Sequence, residues 1–189
     1  MIQTGRGVSG YRIVVPADWH GIDLEPARRE QSVTELVGKQ FAGIDNAPHL
    51  KAQAKQKLLS RAAATHEAGG IELFLSLQQV SGVPIPASLV IFLLPPDDGR
   101  AVAADRLASV LADQDRQLTV VDLPAGRSVR VLRSRAPANE PDSTIQEVFV
   151  PVPDSDWWLL LAFATPDGPL VRPLTDLFDA ICTTLRWDR

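Results

Sequence analysis

This sequence of 189 residues has little of what disulfide-stabilised, membrane-spanning or nucleic-acid-binding proteins need. Its one cysteine, Cys182, cannot form an internal disulfide or a CxxC pair, which predicts a reducing, cytoplasmic environment. The longest apolar runs are well short of the roughly 20 residues that cross a bilayer, and the first ten residues contain no apolar core of a signal peptide. With 19 basic and 23 acidic residues, the net charge of −4 argues against nucleic acid as a partner.

Motifs of catalysis and cofactor binding are also scarce. The run from Gly5 to Gly10 matches GxGxxG, but it precedes a predicted strand, whereas a dinucleotide site has this motif after a strand. We therefore interpret residues 1–10 as a flexible leader. No GxSxG or HExxH motif occurs, and the spacing of the three histidines does not suit a metal ion: His20, His49 and His66. The sequence thus predicts no catalytic residue, no cofactor and no metal site.

Three short segments still leave alternatives open. Asp97-Asp98-Gly99 and Asp154-Ser155-Asp156 could bind a hard cation, but each also suits a turn in which aspartate caps its own backbone, and we favour turns. His20 could act with Asp18 or Asp23 at the mouth of a pocket, or it could be a solvated turn residue.

The first half of the chain shows one strand pattern followed by two helix patterns. Tyr11 to Val15 is alternating and β-branched, and Pro16 ends it. The apolar spacing predicts a helix that begins near Pro26 and a second helix that Asn46 caps and Gly69-Gly70 ends. The apolar stripe predicted for this second helix consists of Ala47, Leu50, Ala54, Leu58 and Ala62.

The second half shows a series of strand patterns with two further helices. The predicted strands are separated by turns rich in proline, glycine and aspartate, and they cover residues 71–80, 89–94, 117–123, 127–133, 144–150 and 157–163. One helix is expected over about 102–115, and a last amphipathic helix follows Pro166. No linker or repeat divides the chain. We therefore predict one α+β domain over residues 11–189, with an antiparallel sheet of about six or seven strands packed with helices.

The order of these elements resembles that of a known family. Tyr11 to Trp19 is an aromatic strand followed by a Pro-x-x-Trp turn, and the chain closes with Phe163 to Pro166 and then Leu185 to Trp187. These features resemble the Mog1/PsbP-like α/β/α sandwich, particularly its small actinobacterial members of unknown function. A high-GC bacterial origin agrees with the composition, since 15 of the 19 basic residues are arginine.

The resemblance implies a binding or assembly role, because the family members with known roles are partners of GTPases, photosystem subunits or secreted lipoproteins. This chain lacks the lipidation cysteine of the lipoproteins, and no motif transfers a GTPase-binding site to particular residues. The resemblance therefore leaves the partner open.

Basic residues form two candidate binding surfaces. The predicted second helix carries Lys51, Lys55, Lys57 and Arg61 against Glu67 alone, so an acidic partner could dock there, and a solvated helix face is the alternative. A second cluster could bind carboxylates or protect an edge strand, and it consists of Arg127, Arg130, Arg133 and Arg135.

Trp157-Trp158 is the aromatic candidate for a binding surface. Strand alternation sends one ring inward and the other outward. An exposed Trp158 near Pro151-Val152-Pro153 would be a strong contact for a partner, whereas packing under a helix of the same domain is the alternative.

We expect a non-catalytic, cytoplasmic binding or assembly factor of a bacterial system, which contacts a protein partner through Trp158, Lys51, Lys55 and Arg61. Two alternatives stay open. The first is a subunit or accessory protein of a secretion or injection apparatus. The second is a small hydrolase or ligand-binding enzyme with its site near His20.

Overall fold

The computed structural model describes residues 8–43, 48–80, 83–96, 103–112, 116–136 and 142–188. Four helices lie in this part of the chain: α1 (Pro26–Gln40), α2 (Pro48–Glu67), α3 (Ala104–Leu111) and α4 (Val171–Thr184). Its strands are β1 (Gly10–Arg12), β2 (Trp19–Ile22), β3 (Gly70–Ser76), β4 (Gln79–Val80), β5 (Val83–Pro84), β6 (Ser88–Leu94), β7 (Arg116–Leu123), β8 (Gly126–Arg135), β9 (Ser143–Pro151), β10 (Trp158–Pro166) and β11 (Arg186–Asp188).

Seven of the strands form one sheet in the order β2-β3-β6-β10-β9-β8-β7. The pairs β1–β11 and β4–β5 form separate two-stranded sheets. The predicted α+β fold with an antiparallel sheet of six or seven strands is confirmed. The chain forms two compact units, unit 1 of residues 1–16 and 92–189 and unit 2 of residues 17–91. A single domain over residues 11–189 stays a prediction.

Unit 2 packs α1 and α2 with β2 and β3, which are antiparallel. Val33, Leu36 and Val37 have the i, i+3, i+4 spacing that predicted α1, and all three are buried. The buried core of unit 2 consists of Ile22, Leu24, Val33, Leu36, Val37, Ala62 and Leu73. The second helix ends as predicted, because Gly69 has a φ of +84° and donates its N–H to the carbonyl of His66. The predicted cap Asn46 lies outside the described residues.

Three boundaries differ from the sequence predictions. β1 is short and begins at Gly10, inside the predicted leader, because this end of the chain pairs with β11. The strand predicted over 71–80 is divided into β3 and β4. Leu50 is 46% exposed, so the packed stripe of α2 begins only at Ala54.

Unit 1 contains the antiparallel meander β7 to β10, with α3 on one face and α4 on the other. Val129 and Val131 of β8 pack with Ala104 of α3, whereas Arg130, between them in sequence, bonds Asp179 of α4. This follows from the alternation of side chains along a strand. Within unit 1, helices therefore cover both faces of the sheet, as an α/β/α sandwich requires.

The last helix and the two chain ends belong to unit 1. Phe178 of α4 stacks on Phe163 of β10, with ring centroids 4.6 Å apart. The predicted apolar stripe of the last helix is confirmed from Leu174 onward, since Leu174, Phe178 and Ile181 are buried, whereas Leu170 precedes the helix and is 42% exposed. Trp187 of β11 packs edge-on against Tyr11 of β1. Within the described residues, no helix combines the length and the apolar character needed to cross a membrane.

Candidate binding surfaces

Trp158 lies inside unit 1 and not on its surface. Only 8% of the residue is exposed, and it belongs to the same buried cluster as Val129 and Val131 of β8 and Ala108 of α3. The prediction that Trp158 offers an exposed ring to a partner is therefore wrong, because α3 covers this face of the sheet. Its neighbour Trp157 is half-buried.

Lys51 and Lys55 point to the packed side of α2. A period of 3.6 residues places Lys55 on nearly the same side of the helix as the buried Ala62, seven residues later. There Nζ of Lys55 donates to Oε1 of Glu30 on α1 at 2.9 Å. This bond and the lysine charge hold the pKa of Glu30 below its ordinary value. Lys51 is half-buried one turn before Lys55, so both lysines are directed toward the core side of the helix.

Arg61 lies on a different, solvent-facing side of α2. The helical period aligns it with four other exposed residues, and we call the whole set the outer stripe: Leu50, Gln53, Lys57, Arg61 and Ala64. Lys57 and Arg61 are one turn apart on this stripe. Nη2 of Arg61 donates to Oγ of Ser88 at 2.8 Å. The helical period separates Arg61 from Lys51 by about 80° and from Lys55 by about 120°, and the contact face predicted from these three residues stays a prediction.

His20 is part of β2 and not of a turn, and it lies opposite Leu75 of β3. Its Nδ1 is 3.3 Å from Nζ of Lys39. Burial and the positive charge of Lys39 lower the pKa of His20. In the described part of the chain no hydrogen bond joins His20 to Asp18 or Asp23, and the alternative hydrolase site stays a prediction.

Asp23 takes part in a local network at the start of α1. Its carboxylate accepts bonds from Nε of Arg28 and from the N–H of Glu25, and these bonds hold the pKa of Asp23 below its ordinary value. Next to it is a depression of about 260 Å³ between β2 and β3, which is lined in part by the carboxylates of Asp23 and Glu72. Among the described residues that line it there is no histidine, and Asp23 already bonds Arg28.

Three of the four arginines of β8 already bond carboxylates of their own unit. Their N–O distances are 3.2 Å, 2.9 Å and 2.9 Å for the pairs Arg127–Asp105, Arg130–Asp179 and Arg133–Glu147. The two bonds from Arg133 to Glu147 raise the pKa of this arginine. These three arginines do not protect an edge strand, because β8 lies between β7 and β9.

Of the two acidic segments, only Asp154 to Asp156 lies within the described residues. Asp154 lies in the turn before β10 and has a φ of +54°, a left-handed conformation that aspartate tolerates in turns. No group of three or more metal-ligating side chains occurs in the described ranges. Asp97 to Gly99 and Gly5 to Gly7 lie outside them.

Comparison with known proteins gives a likeness of structure only. No protein-family model and no curated protein matches this chain. The solved structures similar to it include LpqN of Mycobacterium tuberculosis, which is described as involved in cell envelope biogenesis. The TM-score is 0.52 at 13% identity, over 97% of this chain and 88% of that chain.

Mog1p, a Ran-binding protein of Saccharomyces cerevisiae, is also similar, with a TM-score of 0.42 and 10% identity over 61% of this chain and 77% of that chain. The likeness to LpqN extends over nearly the whole chain and shows a shared α+β fold. The α+β fold implied by the resemblance to Mog1/PsbP-like proteins is confirmed.

Proposed function

We propose that this chain is a non-catalytic binding or assembly factor of a bacterial system, and that the outer stripe of α2 contacts an acidic protein partner. One observation carries the proposal. Lys57 and Arg61 are exposed one turn apart, on the same stripe as an exposed leucine, Leu50. Basic side chains beside an apolar side chain combine electrostatic steering with an apolar contact.

The charge distribution favours an acidic partner over a basic one. Four basic residues and one acidic residue lie on α2, although the whole chain has a net charge of −4. Lys55 is paired with Glu30, so its charge is largely compensated within unit 2. Lys57 and Arg61 are the exposed basic residues of the outer stripe, and Lys51 adds to the positive potential of the helix.

The shape of the fold supports an assembly role by analogy. LpqN, which shares the fold over nearly the whole chain, is described as involved in cell envelope biogenesis. We carry over only the general idea of a factor that acts by binding, because 13% identity transfers no site residue. The cytoplasmic location expected from the lone Cys182 belongs to the proposal.

Affinity capture with matched charge reversals tests the proposal. The tagged chain is incubated with lysate of the bacterium that encodes it, in parallel with the double variant Lys57→Glu/Arg61→Glu. The control is Arg135→Glu/Arg172→Glu, which changes the net charge by the same amount at two exposed arginines outside α2. A melting curve for each variant shows that it is folded, which matters because Arg61 also bonds Ser88.

We expect an acidic protein that the wild type and the control variant retain, that the double variant in α2 loses, and that salt releases. Replacing the acidic residues of that protein with basic ones should restore its binding to the variant in α2. Equal capture by all three chains would show that α2 is not the contact. Turnover of a generic ester or phosphate substrate that His20→Gln abolishes would overturn the non-catalytic assignment.

A further inference from the structure

β7 is the last strand of the seven-stranded sheet. It pairs with β8 on one side, and no strand in the described ranges pairs with its other side. An edge of this kind presents backbone N–H and C=O groups that can pair with another chain. Proteins usually block such edges with proline, a bulge or charged side chains, above all lysine. β7 contains no proline or lysine, and its register with β8 runs without a bulge from Arg116 to Leu123.

The sequence of β7 is complementary to itself in one antiparallel register. If two copies pair with Thr119 opposite Thr119, Arg116 of each copy lies opposite Asp122 of the other, and Leu118 lies opposite Val120. Both charged residues are exposed, with 81% of the Asp122 side chain open to solvent. A register centred on Val120 would place Asp122 opposite Leu118 and lose both ion pairs. Charge therefore selects the register centred on Thr119.

The neighbours of Arg116 within its own chain favour the same arrangement. Arg116 lies directly opposite Arg133 on β8, and the carboxylate of Glu147 on β9 already bonds Arg133. Among the described residues, the ion pair found for Asp122 is a distant one with Arg127, at 3.9 Å. A carboxylate from a second copy would give Arg116 an ion pair, and the guanidinium of the second copy would give Asp122 a closer partner.

An exposed valine on α3 extends the surface beyond the strand. α3 packs on β7 and β8, and its Asp105 contacts Arg127 of β8. Val110 lies about 140° around the helix from Asp105, outside the buried stripe of Ala104 and Ala108. Val110 is 72% exposed. A two-fold axis perpendicular to the sheet would bring the two copies of Val110 to the same side of the interface.

We infer that two copies of this chain associate through β7, with an isologous antiparallel pairing centred on Thr119 and two reciprocal Arg116–Asp122 ion pairs. The inference is independent of the outer stripe of α2, so the failure of either proposal leaves the other intact. The occupant of the edge is a second copy because the charges of the strand match those of its own reversed sequence.

A charge-swap series measured by sedimentation equilibrium tests the ion pairs. Arg116→Asp and Asp122→Arg each create two like-charge contacts across the axis, and we expect each to raise the dissociation constant of the dimer about tenfold or more. The double variant Arg116→Asp/Asp122→Arg restores both pairs and should return to within about threefold of the wild type. Arg135→Asp, at an exposed position outside β7, is the control for net charge.

Cysteine crosslinking tests the register independently of affinity. Two Thr119→Cys copies would lie about 4.5–5.5 Å apart at Cα, within the range that a disulfide can bridge. Gln117→Cys is the matched control, since it is exposed on the same face of β7 but its two copies would be about 14 Å apart. The native Cys182 is buried and does not compete. We expect rapid oxidation to a covalent dimer for Thr119→Cys only.

Three results would overturn the inference. The first is a wild-type chain that sediments as a monomer at the highest concentration reached. The second is a dissociation constant that neither single charge reversal raises, or that the double variant does not return toward the wild-type value. The third is a Thr119→Cys variant that crosslinks no faster than Gln117→Cys. Circular dichroism of each variant confirms that it is folded, and restoration by the double variant cannot arise from misfolding.

Discussion

Gln146, in the middle of β9, donates from Nε2 to Oδ1 of Asp179 on α4 over 2.7 Å. Its Oε1 accepts a bond from Nη2 of Arg130 at 3.1 Å, and Nε of Arg130 reaches the same Asp179 oxygen at 2.9 Å. Gln146 has no exposed surface. These three polar side chains therefore satisfy one another between the sheet and α4, where an unpaired polar group would be costly.

We expect Gln146→Leu to lower the free energy of unfolding by about 2 kcal/mol, because it removes two hydrogen bonds to charged groups and leaves Arg130 and Asp179 with fewer partners. Urea unfolding measures the change. Gln53→Leu, at an exposed position on α2, is the matched control and should change stability by less than about 0.5 kcal/mol. Equal effects of the two substitutions would show that the buried network adds no stability.

Cys182 should be inert in the folded protein. Burial, and to a smaller extent the negative charge of Asp179, raise the pKa of this thiol to about 12. At pH 8 about one thiol in ten thousand would be ionised, and the thiolate is the reactive form. We expect no reaction with Ellman's reagent until denaturant unfolds the chain, and full reaction of one thiol thereafter. Fast reaction of the native protein would contradict the burial of this residue.

Lys39→Met should raise the pKa of His20 toward its ordinary value. Burial is the main cause of the lowered pKa and the charge of Lys39 is the second, while Glu35 acts in the opposite direction. The substitution removes only the second cause, so the pKa should stay below that of a solvated histidine. An NMR titration of the ring protons, assigned with His20→Gln, measures the shift. Lys57→Met is the control. If that variant shifted the pKa of His20 by the same amount, the role of Lys39 would be refuted.

The same lowered pKa has a consequence for stability against pH. Because His20 binds a proton less readily when folded, the unfolded chain takes up the proton first as the pH falls below about 6.5. The contribution of His20 is therefore fully present above this pH and declines as the pH falls toward the folded pKa. His20→Gln should flatten the loss of stability between neutral and mildly acidic pH, as measured by urea unfolding at several pH values. An unchanged slope would contradict this reasoning.

Gly70→Ala and Gly38→Ala should change stability in opposite directions. A Cβ on Gly70 would lie 2.8 Å from the carbonyl oxygen of Thr65, which is part of the backbone of α2 and cannot move freely. We expect a loss of about 1–3 kcal/mol. A Cβ on Gly38, an exposed position in α1, meets nothing within 4 Å, so alanine there should add about 0.5 kcal/mol through helix propensity. Thermal unfolding of the pair checks the sign of each effect.

Much of the fold was predictable because the apolar residues that show helical spacing in the sequence are the ones that are buried. The spacing of Val33, Leu36 and Val37 predicted α1, and that of Leu174, Phe178 and Ile181 predicted the last helix. A fixed helical period brings such residues to one face whatever lies opposite. The end of α2 at Gly69 was equally local, since it depends on the backbone freedom of glycine.

The candidate surfaces were predictable only in part. Arg61 is exposed as the basic-face prediction required, but Leu50 was expected on the packed stripe and is exposed instead. Composition and charge runs identify α2 as a basic helix, but they do not say which side of it α1 covers. The pair Lys55–Glu30 joins residues 25 positions apart, and no local pattern indicates such a contact.

What the sequence by itself determined is the type and order of most elements, because alternation and helical period are properties of neighbouring residues. Alternation predicted that one ring of Trp157-Trp158 points inward and the other outward. Only the tertiary structure decided which of the two is buried, since α3 covers the Trp158 face of the sheet. It likewise decided that β7 is an edge and β8 is not, because strand order depends on long-range pairing. Which surfaces are left for a partner is therefore a property of the packed chain.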